Sequence, residues 1–338
     1  MKLFRRILIG ILVLFVLAVV GLGVFFLGHG YAPGLRPDLV TKLPEGVSPP
    51  PHGYPTEYSS FLMGYLFYDL VPLEHFPTPP GVMSKTDIEF GKGADKTLLL
   101  DLYWPEKMDG PRPAIVFFYG GSWQGGDKEQ LKMYATFFAQ HGFVTATPQY
   151  RLKEAGRWPN SIQDAKCAVR WMRAHAKEYS IDPDHIGVSG NSAGGYLAMM
   201  VGYTPGVKEF EGDGGWPEYS SAVQAVVDIY GPTDFTQYGK RDHSAIVKYM
   251  NQHYLDDPAR FAFASPINHI GPDTPPTCII HGTVDMLVPI EQADKLAQKL
   301  LETHIPYWYS RINGWPHAMD AVDAVNQHTR ALMLQFFD

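Results

Sequence analysis

Ile186-Gly187-Val188-Ser189-Gly190-Asn191-Ser192-Ala193-Gly194-Gly195-Tyr196-Leu197-Ala198-Met199-Met200 decides the architecture of this chain. Its opening residues have the apolar character of a buried strand, and the run from Tyr196 has the apolar density of a helix packed on a sheet. Between them, residues 190–194 read Gly-Xaa-Ser-Xaa-Gly at a strand-to-helix junction. A serine on so sharp a turn takes a strained backbone conformation, and side chains two residues to either side would collide with the strand and helix that it joins. The glycines therefore expose the Ser192 hydroxyl above the sheet. The helix that starts behind it aims backbone donors and the positive end of its dipole at the same place.

A serine hydroxyl is a poor nucleophile until a histidine, itself oriented by a carboxylate, removes its proton. At this kind of junction the acid and the histidine follow the serine in that order. The strand expected at 277–281 runs into His281-Gly282-Thr283-Val284-Asp285-Met286-Leu287-Val288-Pro289, which puts Asp285 in the loop at its carboxyl end. The strand expected at 307–312 is followed by Asn313-Gly314-Trp315-Pro316-His317. Ser192, Asp285 and His317 are thus the candidate nucleophile, orienting acid and base. His281 is expected to shape the acid's loop, and His269 lies too far upstream for the order.

Upstream, Phe117-Phe118-Tyr119-Gly120-Gly121-Ser122-Trp123 leaves a buried strand directly into a glycine pair. The backbone amides of Gly121 and Ala193, with Gly120 or Ser122 as a third, are the candidates to face the oxygen charge of a tetrahedral intermediate. Trp123, Tyr230 and Phe235 are candidates to line a substrate pocket, with Trp216 and Tyr254 behind them. Asp164, at the start of a helix, is read as a structural acid, and Asp234, on the active-site edge, as one that bonds the loops or a substrate without taking part in the chemistry.

Strands are expected at residues 86–90, 97–104, 114–119, 143–147, 185–189, 222–229, 277–281 and 307–312, most of them separated by helices. The helices are expected at 128–141, 161–179, 193–201, 291–302 and 318–337. The alternation predicts an α/β fold: about eight strands, mostly parallel after an antiparallel leading pair, with helices on both faces. Residues 203–221 and 235–270 leave the alternation and are expected to form a lid and pocket walls.

Ahead of this domain, residues 7–27 are uncharged and apolar behind Lys2, Arg5 and Arg6, long enough for a helix to span a bilayer. The division expected is a signal anchor over 1–28, a proline-rich connector over 29–82 and the catalytic domain over 83–338. The catalytic domain would lie on the non-cytoplasmic side, periplasmic or extracellular; secretion after signal cleavage is the alternative. Residues 58–73 of the connector have the spacing of a short helix laid on an apolar surface, that of the catalytic domain or else the membrane or the mouth of the active site.

A net charge of −7 without a basic stripe speaks against nucleic acid as a partner. The two cysteines, Cys167 and Cys278, sit in apolar or helical stretches and are expected to be packed thiols. No cluster has metal-ligand spacing and no glycine-rich phosphate loop occurs, so no cofactor is expected.

Residues 83–338 resemble the esterases and lipases of the α/β-hydrolase superfamily, in the branch of the hormone-sensitive-lipase-like and feruloyl-esterase-like carboxylesterases. The resemblance is carried by Ser161-Ile162-Gln163-Asp164-Ala165-Lys166, Ile181-Asp182-Pro183, Gly190 to Gly195, Asp228-Ile229-Tyr230-Gly231-Pro232-Thr233-Asp234 and His281 to Pro289. It implies the α/β-hydrolase fold and hydrolysis of a small-molecule carboxylic ester, short-chain, aryl or sugar-borne, through an acyl-enzyme. An amide or peptide hydrolase, an acyltransferase and a non-catalytic binding module remain alternatives. One departure stands out: the family usually opens its oxyanion loop with His-Gly-Gly, and this chain has Tyr119-Gly120-Gly121.

Overall fold

The computed structural model describes residues 36, 38–54, 59, 60, 62, 66, 69–71, 76–94, 96–239 and 244–338. The expected anchor at 1–28 lies outside them, as does much of the expected connector helix. Among the described residues no helix is long and apolar enough to cross a membrane.

Eight strands form one sheet: β1 (Val82–Gly93), β2 (Lys96–Pro105), β3 (Arg112–Phe118), β4 (Val144–Pro148), β5 (Ile181–Asn191), β6 (Ala225–Ile229), β7 (Thr277–Gly282) and β8 (Tyr307–Ile312). Their spatial order is β1-β2-β4-β3-β5-β6-β7-β8. The pairs β1/β2 and β2/β4 are antiparallel, and all pairs from β4 to β8 are parallel. Successive strand residues point to opposite faces, yet Ala114 to Phe118 of β3 and the whole of β7 are buried. Both faces are therefore covered, which is why these strands read as unbroken apolar runs and not as alternating ones. Edge strand β1 is largely exposed.

The covering helices are α1 (Lys132–Gln140), α2 (Asn160–Ala174), α3 (Ala193–Tyr203), α4 (Glu291–Glu302) and α5 (Asp323–Phe337). The first and last meet through the Phe138 and Phe337 rings, 5.9 Å apart. The last helix starts later than its apolar period suggests. Val322 is extended, at φ −89° and ψ 123°, because it forms a β-bridge with Leu70, so the helix can begin only at Asp323.

Part of the connector packs on the domain. Leu39 and Val47 join the core, and Thr41 bonds with Tyr309 of β8 through Thr41 N to Tyr309 O and Tyr309 N to Thr41 Oγ1. Of the short helix, Ser59 and Ser60 are buried whereas Leu62 and Leu66 are exposed. Ser60 Oγ donates to the buried Gly314 carbonyl, which also accepts from Tyr54 N.

The segment after α3 is not a pocket wall. Glu211 accepts from Lys166 and Arg170 of α2, and Gly214 lies against Cys167. Two buried cations on one helix need a counter-ion, and this segment supplies it along the helix flank. Of the segment expected at 235–270, the short helix Ser244–Met250 reaches the site through Ala245 and Ile246, whereas the short helix Phe235–Gly239 opens with a ring packed on Tyr196 and Trp123. Cys167 and Cys278 are free buried thiols.

Candidate active site

Ser192 stands between β5 and α3 at φ 53° and ψ −120°, a conformation that costs a non-glycine residue on the order of 1–3 kcal/mol. The neighbouring chain enforces it. Its amide donates to Ile229 O at 2.9 Å, and its carbonyl accepts from Tyr196 N. A Cβ on Gly190 would lie 2.6 Å from Phe118 O, and one on Gly194 would overlap that same oxygen. The two glycines let the turn press against the end of β3, so the hydroxyl is held up by the most buried part of the sheet.

The three residues read from the sequence come together. Ser192 Oγ lies 2.9 Å from His317 Nε2, and His317 Nδ1 lies 2.7 Å from Asp285 Oδ2. The Asp285 carboxylate is fully engaged, since its Oδ1 accepts from Leu287 N at 2.9 Å and Val288 N at 2.8 Å. Burial would raise its pKa, but hydrogen bonds from His281 and His317 outweigh that and hold the carboxyl below its usual range. It therefore stays ionised, with Nδ1–H of His317 pointing at it and Nε2 free to accept the serine proton.

His281 bonds its Nε2 to Val288 O at 2.8 Å and places the same nitrogen 3.3 Å from Asp285 Oδ2. It shapes the acid's loop, as expected, and also flanks the carboxylate from behind. A second buried group was not legible in the sequence. Asp320, three residues after His317, accepts from Tyr230 Oη and from Tyr134 Oη, the latter at 2.9 Å. Tyr230 in turn accepts from Asn191 Nδ2 at 3.2 Å, and its ring lies 4.7 Å from the His317 ring. Tyr230 thus sits beneath the histidine, at the centre of a network joining the residue before Ser192 to the loop of His317.

Gly120 packs its Cα against the nucleophile, for a Cβ there would lie 3.2 Å from Ser192 Cβ. The loop beyond it has left-handed backbone at Gly121, Ser122 and Trp123, with φ of 117°, 54° and 58°. Ser122, Trp123 and Ala193 line a hollow beside Ser192 together with Pro232, Ala245, Ile246, Leu287 and Val288. Its volume is about 320 Å³, open solvent at the mouth included. Phe235 stands one layer back, 4.7 Å from the Tyr196 ring and 5.9 Å from Trp123. Trp216 lies elsewhere, its Nε1 donating to Phe90 O.

Tyr119, the departure from His-Gly-Gly, steadies the loop by stacking. Its ring lies 4.4 Å from that of Tyr150, whose hydroxyl donates to Tyr119 O at 2.7 Å. The two remaining acids are tied into structure: Asp164 pairs with Arg151, and Asp234 with Lys295 and Thr236. Among the described residues no group of His, Cys, Asp and Glu could hold a metal ion.

Sheet order, elbow and hydrogen-bonded trio together define an α/β-hydrolase. Residues 100–300 match the BD-FAE family model, and the chain belongs to that family. It is 31% identical over 260 residues to the probable carboxylic ester hydrolase LipM of Mycobacterium tuberculosis (strain ATCC 25618 / H37Rv), covering 74% of this chain and 60% of that protein. It is also 31% identical to the esterase LipC of the same organism, over 72% of this chain and 62% of LipC. The match thus spans about three fifths of each of these relatives. Among solved structures it is similar to a truncated carbohydrate esterase from gut microbiota, with TM-score 0.67, 29% identity, and coverage of 75% of this chain and 95% of that one. The propionate-bound Est2 esterase of the Planctomycetes species Thermogutta terrifontis aligns with TM-score 0.64 at 29% identity, over 76% of this chain and 93% of Est2.

Proposed function

We propose that this chain hydrolyses small carboxylic esters through an acyl-enzyme on Ser192. The observation that carries the reading is the unbroken line from Ser192 Oγ through His317 to a fully hydrogen-bonded Asp285 carboxylate. His317 Nε2 takes the hydroxyl proton as Oγ attacks the ester carbonyl, then gives it to the departing alcohol. Water enters, loses a proton to the same nitrogen and releases the acid. Asp285 keeps the imidazole oriented and offsets the charge it acquires. The amides of Ala193 and Gly121, with Gly120 beside them, are the donors assigned to the oxyanion.

The acyl group is short. The hollow beside Ser192 is small and lined by apolar side chains such as Trp123, Ile246 and Val288, which suits acetyl to butyryl chains. Solved structures of the similar Est2 contain propionate and butyrate, which supports this range. The resemblance to a carbohydrate esterase makes acylated sugars a substrate class worth including. Hydrolysis of p-nitrophenyl esters from acetate to palmitate, with acetylated xylan and matching anilides beside them, tests the proposal. Cleavage of short esters lost in Ser192→Ala supports it; preferential cleavage of the anilides would make the chain an amidase.

The apolar run at 7–27 behind three cationic residues supports an anchored enzyme with its site on the non-cytoplasmic side of a membrane. Membrane fractionation and protease accessibility of intact cells or spheroplasts test it. Recovery of the full-length chain in the soluble fraction would refute it.

A further inference from the structure

The loop that carries His317 connects β8 to α5, and its inner side is tied to the acid's loop: Gly314 N donates to Thr283 Oγ1 at 2.8 Å, and Val284 N to Trp315 O at 3.2 Å. Its outer side is held by a stretch of chain that reads as linker. Gly53 N donates to Asn313 O at 3.1 Å and Tyr54 N to Gly314 O at 2.9 Å. Trp315 Nε1 donates to Pro51 O at 2.7 Å. The buried Ser60 hydroxyl bonds Gly314 O across 254 positions of sequence. Beyond His317 the clasp closes again: Val71 N donates to Ala321 O and Asp323 N to Asp69 O, both at 2.8 Å, around the bridge between Leu70 and Val322. The connector thus grips the histidine loop on both sides of His317.

Packing at the first grip is backbone against backbone. A Cβ on Gly53 would overlap Gly314 O. A Cβ on Gly314, itself at φ 73°, would lie 2.6 Å from Gly53 C and Tyr54 N. Neither position has room for a side chain, so a methyl group on the connector must push back the loop three residues before His317.

We infer that Gly53 and Ser60 of the connector are positioning residues for His317, so that residues 51–54, Ser60 and residues 69–71 are part of the frame of the active site. The inference rests on His317 being the base of the proposed reaction. A loop that carries a base must hold it to a fraction of an ångström, and a misplacement of about 1 Å costs on the order of 100-fold in rate. From the inner side, Thr283 and Val284 hold the start of the loop, and Tyr134 and Tyr230 hold Asp320 beyond the histidine; the connector supplies the backbone contacts on the outer side, on both flanks of His317.

The test compares Gly53→Ala and Ser60→Ala in the full chain with Gly110→Ala, where an added Cβ meets nothing within 4 Å. Three quantities are read: kcat and KM for p-nitrophenyl butyrate, amide hydrogen exchange over 313–323, and the thermal midpoint. In Gly53→Ala, kcat should fall by about tenfold or more while KM stays within about twofold, and exchange over 313–323 should quicken. Ser60→Ala should show the same pattern at about threefold to tenfold, and Gly110→Ala should match the wild type. Should Gly53→Ala not fold, Ser60→Ala decides. Wild-type kcat in folded variants overturns the inference, and does so even if exchange is faster, since that makes the clasp structural only. If the wild type cleaves no ester, the proposed function fails; the clasp is then judged on exchange alone, and unchanged exchange in the variants overturns it.

Discussion

Ser192 and His317 face each other across 2.9 Å, yet their backbones are secured from opposite directions. Ser192 is held from below. Its turn is wedged against the end of β3 by Gly190 and Gly194, and its amide is tied to β6, so its position is a property of the buried sheet. His317 stands on a loop outside the sheet, clasped by chain from the far end of the sequence. Ser192 is therefore held in place for as long as the core exists, whereas His317 depends on contacts that can loosen while the core survives.

The comparison breaks most severely at the nucleophile. Ser192→Ala should lower kcat by about 10⁴-fold or more at an unchanged thermal midpoint, because the residue is placed by its neighbours and carries no packing of its own. Adding His317→Ala to it should cost little further, since the two act as one unit; a further large loss in the double variant would mean that another base exists. Asp285→Asn should fall by about 10⁴-fold, because an amide presents a donor where His317 needs an acceptor. Restoration of wild-type rate in that variant would remove Asp285 from the mechanism.

Smaller effects sharpen the picture. Ile246→Ala opens the hollow and should raise the hexanoate-to-acetate ratio of kcat/KM by about tenfold, the discrimination expected for a few methylene groups. An unchanged ratio would place the acyl group elsewhere. Tyr150→Phe removes the donor to Tyr119 O and should cost about 1 kcal/mol of stability, read from urea unfolding, with a few-fold loss of kcat as the glycine loop relaxes.

The last prediction concerns pH. Burial pushes the Asp228 carboxyl up to about 7, against its usual 3.8, with only partial relief from His281 and the Gly231 amide. The folded state therefore keeps a proton that the unfolded state releases between these values. The stability contributed by this group is full below pH 3.8 and lost as pH rises through about 7. Asp228→Asn keeps an acceptor for Gly231 N and should gain thermal stability over the wild type at pH 8 but not at pH 4. An equal difference at both values would show that Asp228 does not titrate as described.

The contrast between the two residues also explains what the sequence disclosed. The elbow, the acid and the histidine were legible because each is a local event, a residue type at the end of a strand in a required order. The central strands were legible because burial on both faces leaves continuous apolar runs, whereas the largely exposed β1 showed only over 86–90 of its span Val82–Gly93. Tyr230 and Phe235 were expected to line the pocket with Trp123, whereas Tyr230 lies against His317 and Phe235 behind Trp123, and neither lines the hollow. Ile246, Leu287 and Val288 are ordinary apolar residues whose place beside Ser192 comes from tertiary packing. Asp320 carries no motif, since its partners Tyr134 and Tyr230 come from distant segments. The same holds for Gly53, a glycine in a proline-rich stretch until Gly314 is seen against it.

That pairing bears on how the enzyme comes into being. A ribosome releases the clasp well before the loop that it grips, since Ser60 and Gly314 are 254 positions apart. A nascent chain can thus have its sheet nearly assembled and Ser192 already on its turn while the histidine has nothing to bring it into register. The trio of Ser192, Asp285 and His317 is therefore completed only when these two distant segments meet, and a molecule cut short before the loop would hold its serine without its histidine.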